Sequence, residues 1–296
     1  MRLPALLLAL AISAAPAAAQ RPLKVYISVD MEGITGVVTG DQLGPGGFEY
    51  ERARSWMTGE VNAAIAGARE AGATEFVISD SHGNGESLLI DQLPPDVRIV
   101  RSWPRPLMMM EGIDSTFAAA FFIGYHASTT NPRGVRAHTI SSAHLTAVTL
   151  NGTAMPEAGI NAAIAGHYGV PIALITGDDV IIAEARDLIG PMEGAVVKRA
   201  ISFHSAETMT PKAGQDLIRA RARRAIERRA EFKPYVMKAP VELEVTFKNY
   251  RAAELLAFLP YVTRSSAHSV KFTGRDILEV SRFLEFINSY DSEITP

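Results

Sequence analysis

The chain has 296 residues, 47% of them hydrophobic and 21% charged, with a formal net charge of −3 and no cysteine. That length can bury a substantial core in one large or two modest domains. The absence of any basic block removes electrostatic support for nucleic-acid binding or polybasic membrane attachment, and the absence of cysteine excludes disulfides and a lipid anchor on cysteine.

The chain opens with MRLPALLLALAISAAPAAAQ, one Arg followed by a short apolar stretch and small residues. This pattern is expected of an export signal spanning 1–19, cleaved after Ala17-Ala18-Ala19, because the apolar part is shorter than the ~20 residues a membrane helix needs. The mature chain is expected in a periplasm or outside the cell, without stable membrane insertion. Residues 23–29, LKVYISV, form a nearly all-apolar run expected of a strand covered on both faces. Asp30 and Glu32 follow it directly, and the Gly-rich segment 40–50 reads as a loop placed to cover them.

Met57, Val61, Ile65 and Ala68 recur at helical spacing before a stop at Gly72. Further strands are expected at 74–79, 97–100 and 119–124. Asn151-Gly152, between β-prone runs, predicts a type I′ hairpin because both central residues need positive φ. Pro156 opens a helix, 171–177 is a buried strand, and a further helix starts near Asp179. A basic helix is expected over 211–230, an alternating strand over 241–247, and two more helices after it. The alternation predicts an α/β fold with a mostly parallel sheet flanked by helices, followed by a smaller C-terminal α+β part. The expected division is a catalytic unit over 20–205 and a second unit over 206–296.

Ligands in open α/β sheets bind beyond the carboxyl ends of the strands. Asp30 follows the first strand, Asp80 and His82 the second, and His126 the strand at 119–124, while Glu157 occupies the first turn of a helix, where a carboxylate suits the dipole. Asp80 reads as a turn cap rather than a ligand, and Asp178 and Asp179 as helix-capping or supporting groups. An all-nitrogen-and-oxygen set of two His and several carboxylates suits zinc or manganese, and five ligands can serve two metals ~3.5–4 Å apart, the arrangement of metal-assisted hydrolysis. His144, His167, His204 and His268 read as structural or surface residues.

The segments SVDMEGITG, YERARSWMTGEVNAAI, DSHG, MMEGID, FIGYHA, AHTIS, PEAGINAAIAGHYGVP, TGDD and VKRAIS, spread over residues 25–202, together resemble the DppA-type zinc-dependent D-aminopeptidases. The resemblance implies two zinc ions per subunit, with Asp30 bridging them and Glu32, His82, His126 and Glu157 completing the ligands. It implies that His138, in AHTIS, is the catalytic histidine, as general base, nucleophile or stabiliser of the intermediate. It implies a small peptide substrate with an N-terminal D-residue, such as D-Ala-D-Ala, and a ring-like homodecamer. The competing readings are a dinuclear amidase or esterase for another small substrate, and an exported metal- or peptide-binding protein without catalysis.

Overall fold

The computed structural model describes residues 22–290; the expected export signal lies outside the described residues. The first sheet begins with β1 (Lys24–Val29), whose neighbour β2 (Glu75–Asp80) is reached through the long helix α1 (Tyr50–Glu70). β3 (Arg98–Val100) forms the near edge, and β4 (Ala119–Tyr125) pairs on the other side of β1. The chain then leaves this sheet for a hairpin, β5 (Leu145–Leu150) and β6 (Thr153–Ala154). It returns through α2 (Glu157–His167) to β7 (Ile172–Asp178), α3 (Asp179–Ile189), β8 (Glu193–Ser202) and β9 (Ser205–Thr208). The strand order is β3-β2-β1-β4-β7-β8-β9, and every pairing is parallel except that of β9.

After α4 (Pro211–Glu227), β10 (Val241–Phe247) founds a second, antiparallel sheet with α5 (Tyr250–Leu256), β11 (Val262–Arg264), β12 (Ser269–Gly274) and α6 (Ile277–Ser289) around it. Its order is β11-β12-β10-β5-β6. The α/β class and the mostly parallel sheet are as expected. The sequence divided the chain at 205, whereas the second sheet takes strands from both sides of that point. The Asn151-Gly152 hairpin, with φ of 49° and 79°, supplies β5 as the partner of β10. α4, from beyond 205, packs against α1 on the first sheet. β8 carries no strand signal in the sequence, because Lys198 and Arg199 interrupt its apolar run.

The first sheet separates two cores. Alternate residues such as Val25, Ile27 and Phe121 face α1 and α4, while Tyr26, Phe122 and Tyr125 face α2 and the second sheet. β1 sends its connection outward to β2, and β4 continues to β7 on the opposite side. The order therefore reverses between β1 and β4, the crevice where doubly wound sheets bind ligands.

Two backbone features hold the segment after β1 at that crevice. Gly33 donates its N–H to the Gly124 carbonyl at 2.7 Å, and Asp30 N–H reaches the Ile123 carbonyl at 2.8 Å. A Cβ on Gly33 would lie 2.1 Å from the Tyr125 carbonyl oxygen, and one on Gly124, at φ +71°, would lie 2.2 Å from that of Asp30. Only paired glycines permit this approach. The second feature is the side chain of Lys198, fully buried, whose Nζ donates to the carbonyls of Glu32, Ile34 and Val37. Burial lowers its ammonium to about 8. Glu60 of α1 accepts the Thr35 N–H at 2.8 Å, and burial raises its carboxyl to about 7.

Gly33→Ala is expected to destabilise the fold by about 1–3 kcal/mol, the usual range for overpacking, in denaturant unfolding. Glu60 sets a pH dependence. Its folded value of about 7 lies above the ordinary 4.5, so its contribution is fully present below pH ~4.5 and is lost as pH rises to about 7. Glu60→Gln is therefore expected to gain stability relative to the parent on going from pH 5 to pH 8, measured by unfolding midpoints at each pH.

Candidate metal centre

Parallel pairing in register puts the ends of β2, β1 and β4 side by side. Asp30 leaves β1, His82 sits two residues past β2, and His126 directly follows β4. Glu157 enters from the first turn of α2 and His138 from the loop after β4. The five expected ligands are all buried, and His138 is partly exposed at the rim.

The side chains gather in two groups, Asp30 with Glu32 and His82, and His126 with His138 and Glu157. Asp30 touches both. Its Oδ1 lies 3.1 Å from His82 Nδ1, which is also 3.0 Å from Glu32 Oε2. Its Oδ2 lies 3.1 Å from His126 Nε2, which is 3.4 Å from Glu157 Oε2. His138 Nε2 is 3.8 Å from Glu157 Oε1, and its ring stacks on that of His126 with centroids 4.0 Å apart. The loop at 129–135 thus folds His138 back over the site, fixed by its N–H to the Ala127 carbonyl at 3.0 Å.

Each histidine spends one ring nitrogen on a main-chain carbonyl. His82 Nε2 donates to Leu43 at 2.7 Å, His126 Nδ1 to Ala127 at 3.1 Å and His138 Nδ1 to Arg136 at 2.8 Å. A carbonyl can only accept, so these nitrogens carry the protons, and the other three face carboxylates with their lone pairs whenever the rings are neutral. Metal-ligating histidines are oriented in this way. The Leu43 contact also places the Gly-rich segment 40–50 against the site.

Lone pairs and carboxylates repel unless something positive lies between them. Protons on the imidazoles are one source of that charge. Burial works against the His82 imidazolium, but Glu32 and Asp30 raise it well above the usual histidine range. Burial likewise opposes, and Glu157 and Asp30 reverse, the shift at His126. Burial and the neighbouring Glu32 charge push Asp30 upward, whereas His82 overcomes burial to hold Glu32 well below the carboxylate range. Asp30 Oδ2 and His126 Nε2 are buried, face each other, and make no aligned hydrogen bond. Such unpaired atoms among three carboxylates and three imidazoles fit divalent cations of the zinc type.

Asp80 points away, accepting the Leu88 N–H at 2.7 Å, in keeping with a turn role. Asp178 caps α3 through the Ile181 N–H and also accepts the Val135 N–H, and Asp179 accepts the Ala200 N–H. His144, His167, His204 and His268 are exposed and away from the cluster.

The sequence did not reveal the far wall of the cleft. Trp103, Met108 and Met109 line a space of about 250 Å³ opposite Ile140–Ala143. Trp103 Nε1 donates to the Gly83 carbonyl at 2.8 Å, and the Arg105 guanidinium stacks 3.8 Å from its ring. Beneath the ligands, Tyr125 donates to Ser28 Oγ at 2.7 Å and Asn161 Nδ2 to the Tyr125 hydroxyl at 2.8 Å. Among the described residues, positive φ at non-glycine positions occurs at Ser102, Met108, Arg136, Ile140 and Asn151. Met108 and Ile140 line the cleft, Ser102 precedes Trp103 in its wall, and the Arg136 carbonyl holds His138. Ile140 is β-branched at φ 66°, a conformation costing about 1–3 kcal/mol, and its N–H donates to Glu157 Oε1 at 2.7 Å.

Comparison with known proteins places this geometry in context. A family model described as Peptidase_M55, D-aminopeptidase, matches residues 23–286. A D-aminopeptidase of Bacillus subtilis (strain 168) is 34% identical over 258 residues, which cover 87% of this chain and 93% of the relative. A solved structure described as Zn-dependent D-aminopeptidase DppA from Bacillus subtilis, a self-compartmentalizing protease, matches with a TM-score of 0.86 at 33% identity. That match covers 90% of this chain and 96% of the other. The two-sheet fold, the carboxylate–histidine cluster at its switch point and these matches together assign the chain to the Peptidase_M55 family of D-aminopeptidases.

Proposed function

We propose that the protein is a zinc-dependent aminopeptidase that removes N-terminal D-residues from short peptides such as D-Ala-D-Ala, using two zinc ions per subunit. The observation that carries this reading is the position of Asp30, one carboxylate oxygen beside His82 and Glu32 and the other beside His126. A carboxylate so placed suits a bridge between two cations, with His82 and Glu32 toward one and His126 and Glu157 toward the other. Zinc held there would lower the pKa of a coordinated water and polarise a peptide carbonyl.

The remaining work falls to side chains. His138 stands at the rim with Nδ1–H fixed on the Arg136 carbonyl, so its Nε2 is free to accept or return a proton at the scissile bond. The carboxylates of the cluster would attract the substrate's ammonium group. Trp103, held by Gly83 and Arg105, and Ile140 narrow the cleft. A dinuclear amidase or esterase acting on another small substrate is the second reading, since the same groups serve both reactions.

Export fits a substrate found among cell-wall peptides, and the pattern of residues 1–19 supports it. A ring-like homo-oligomer, a decamer by resemblance, is supported by the self-compartmentalizing relative and by exposed apolar residues such as Phe48 and Phe258.

Zinc-loaded and metal-free protein should be compared on D-Ala-D-Ala and L-Ala-L-Ala. Metal-dependent turnover of the first and not the second is expected; tight zinc binding without turnover of either would sink the proposal. Asp30→Ala is expected to lose bound zinc, counted by metal analysis, together with all turnover, while retaining its fold by circular dichroism. His138→Ala is expected to keep its zinc and lose about 10²–10⁴-fold in kcat; near-normal turnover in that variant would remove His138 from the catalytic role.

A further inference from the structure

A second cavity of about 260 Å³ opens directly beside the metal cleft. The two are neighbours, with Ile140, Ser141, Ala143 and Asn288 bordering both. Their linings differ in character. The metal cleft is walled by carboxylates and imidazoles, whereas the floor of the second cavity is Leu145, Phe247, Leu284 and Ile287. At its edge stands Lys248, exposed, with Nζ donating to the Ser142 carbonyl at 2.6 Å. An ammonium has three protons, so the others remain available to a ligand.

The ridge between the cavities is built with care. Ile140 holds its positive φ there, its N–H on Glu157 and its side chain on both spaces. Lys248 N–H and Nζ tie the other end of the ridge, to the carbonyls of His144 and Ser142. A strained, doubly anchored ridge between an ionic cleft and an apolar one fits a substrate that spans both.

We propose that this apolar cavity is the subsite for the residue on the carboxyl side of the scissile bond, taking a large apolar side chain, with Lys248 pairing with the free carboxylate of a dipeptide. This rests on the aminopeptidase reading above. In an aminopeptidase the metal cleft ends at the substrate's N-terminal residue, and everything beyond the cleaved bond must leave on the open side. The cavity beyond Ile140–Ala143 adjoins the metal cleft and has the apolar floor and the cation that a short hydrophobic peptide requires. The chain would thus prefer D-Ala-D-Phe or D-Ala-D-Leu to D-Ala-Gly.

The test uses zinc-loaded full-length protein carrying His138→Ala, so that binding is measured with turnover slowed, alone and combined with Ala252→Trp or Lys248→Met. Ala252 lines the cavity from α5 and is partly exposed, so a tryptophan there can fill the space without entering the core. Calorimetric titration with D-Ala-D-Phe is expected to give roughly tenfold or more tighter binding than D-Ala-Gly, as burial of an aromatic side chain implies. Ala252→Trp is expected to erase that advantage and leave D-Ala-Gly binding unchanged. Lys248→Met is expected to erase the preference for D-Ala-D-Phe over its C-terminal amide. Equal affinity for the two dipeptides, or an advantage that survives Ala252→Trp, overturns the subsite. The parent enzyme is assayed on the same peptides in parallel: failure to cleave any of them overturns the aminopeptidase reading, while the binding comparison still judges the cavity.

Discussion

Asp30, Glu32 and Glu157 bring three carboxylates into one buried space at the edge of the first sheet, and water cannot shield them there. Positive charge has to enter that space, as protons on imidazoles or as metal ions, and the surroundings are organised to accept the second. Each histidine is turned by a main-chain carbonyl so that its free nitrogen faces the carboxylates. The Lys198 ammonium, behind the loop, is occupied with three carbonyls and leaves the carboxylates to the cation. The Gly33–Gly124 contact brings the Asp30 segment close enough to β4 for Asp30 to touch His126 as well as His82.

The two sheets divide the labour. The parallel sheet delivers ligands from three adjacent strand ends, rigidly and in register. The antiparallel sheet supplies the opposite bank of the cleft through the segment that runs from His138 to the β5–β6 hairpin. Backbone strain is concentrated along that bank and along the facing Ser102–Met108 segment. Packing over-determines these conformations, as expected where geometry at a site outweighs local comfort.

Much of this was legible in the residues. Apolar runs ending in Asp30, Asp80 and His126 gave the strands and their shared edge, and Asn151-Gly152 gave the hairpin, because each signal is local. The capping roles of Asp80 and Asp178 followed from the same logic. What is not legible there depends on contacts remote in sequence. β8 was hidden because Lys198 looks like a surface residue until the loop carbonyls it serves are in place. The pairing of β5 with β10 joins segments about a hundred residues apart, so the chain's continuity suggested a division near 205 that the sheets do not follow. Trp103 and Arg105 carry no motif, and only the fold shows Trp103 walling the cleft with Arg105 stacked on its ring.

The route of the chain between His138 and Glu157 ties the cleft to both ends of the sequence. It leaves the parallel sheet and passes through β5, whose one long partner is β10, more than eighty residues beyond Glu157. The ridge at Ile140 thus leads into a strand paired with the C-terminal part of the chain, whereas Glu157 stands on α2, which packs against β4 of the parallel sheet. Ligands and ridge are therefore mounted on different sheets.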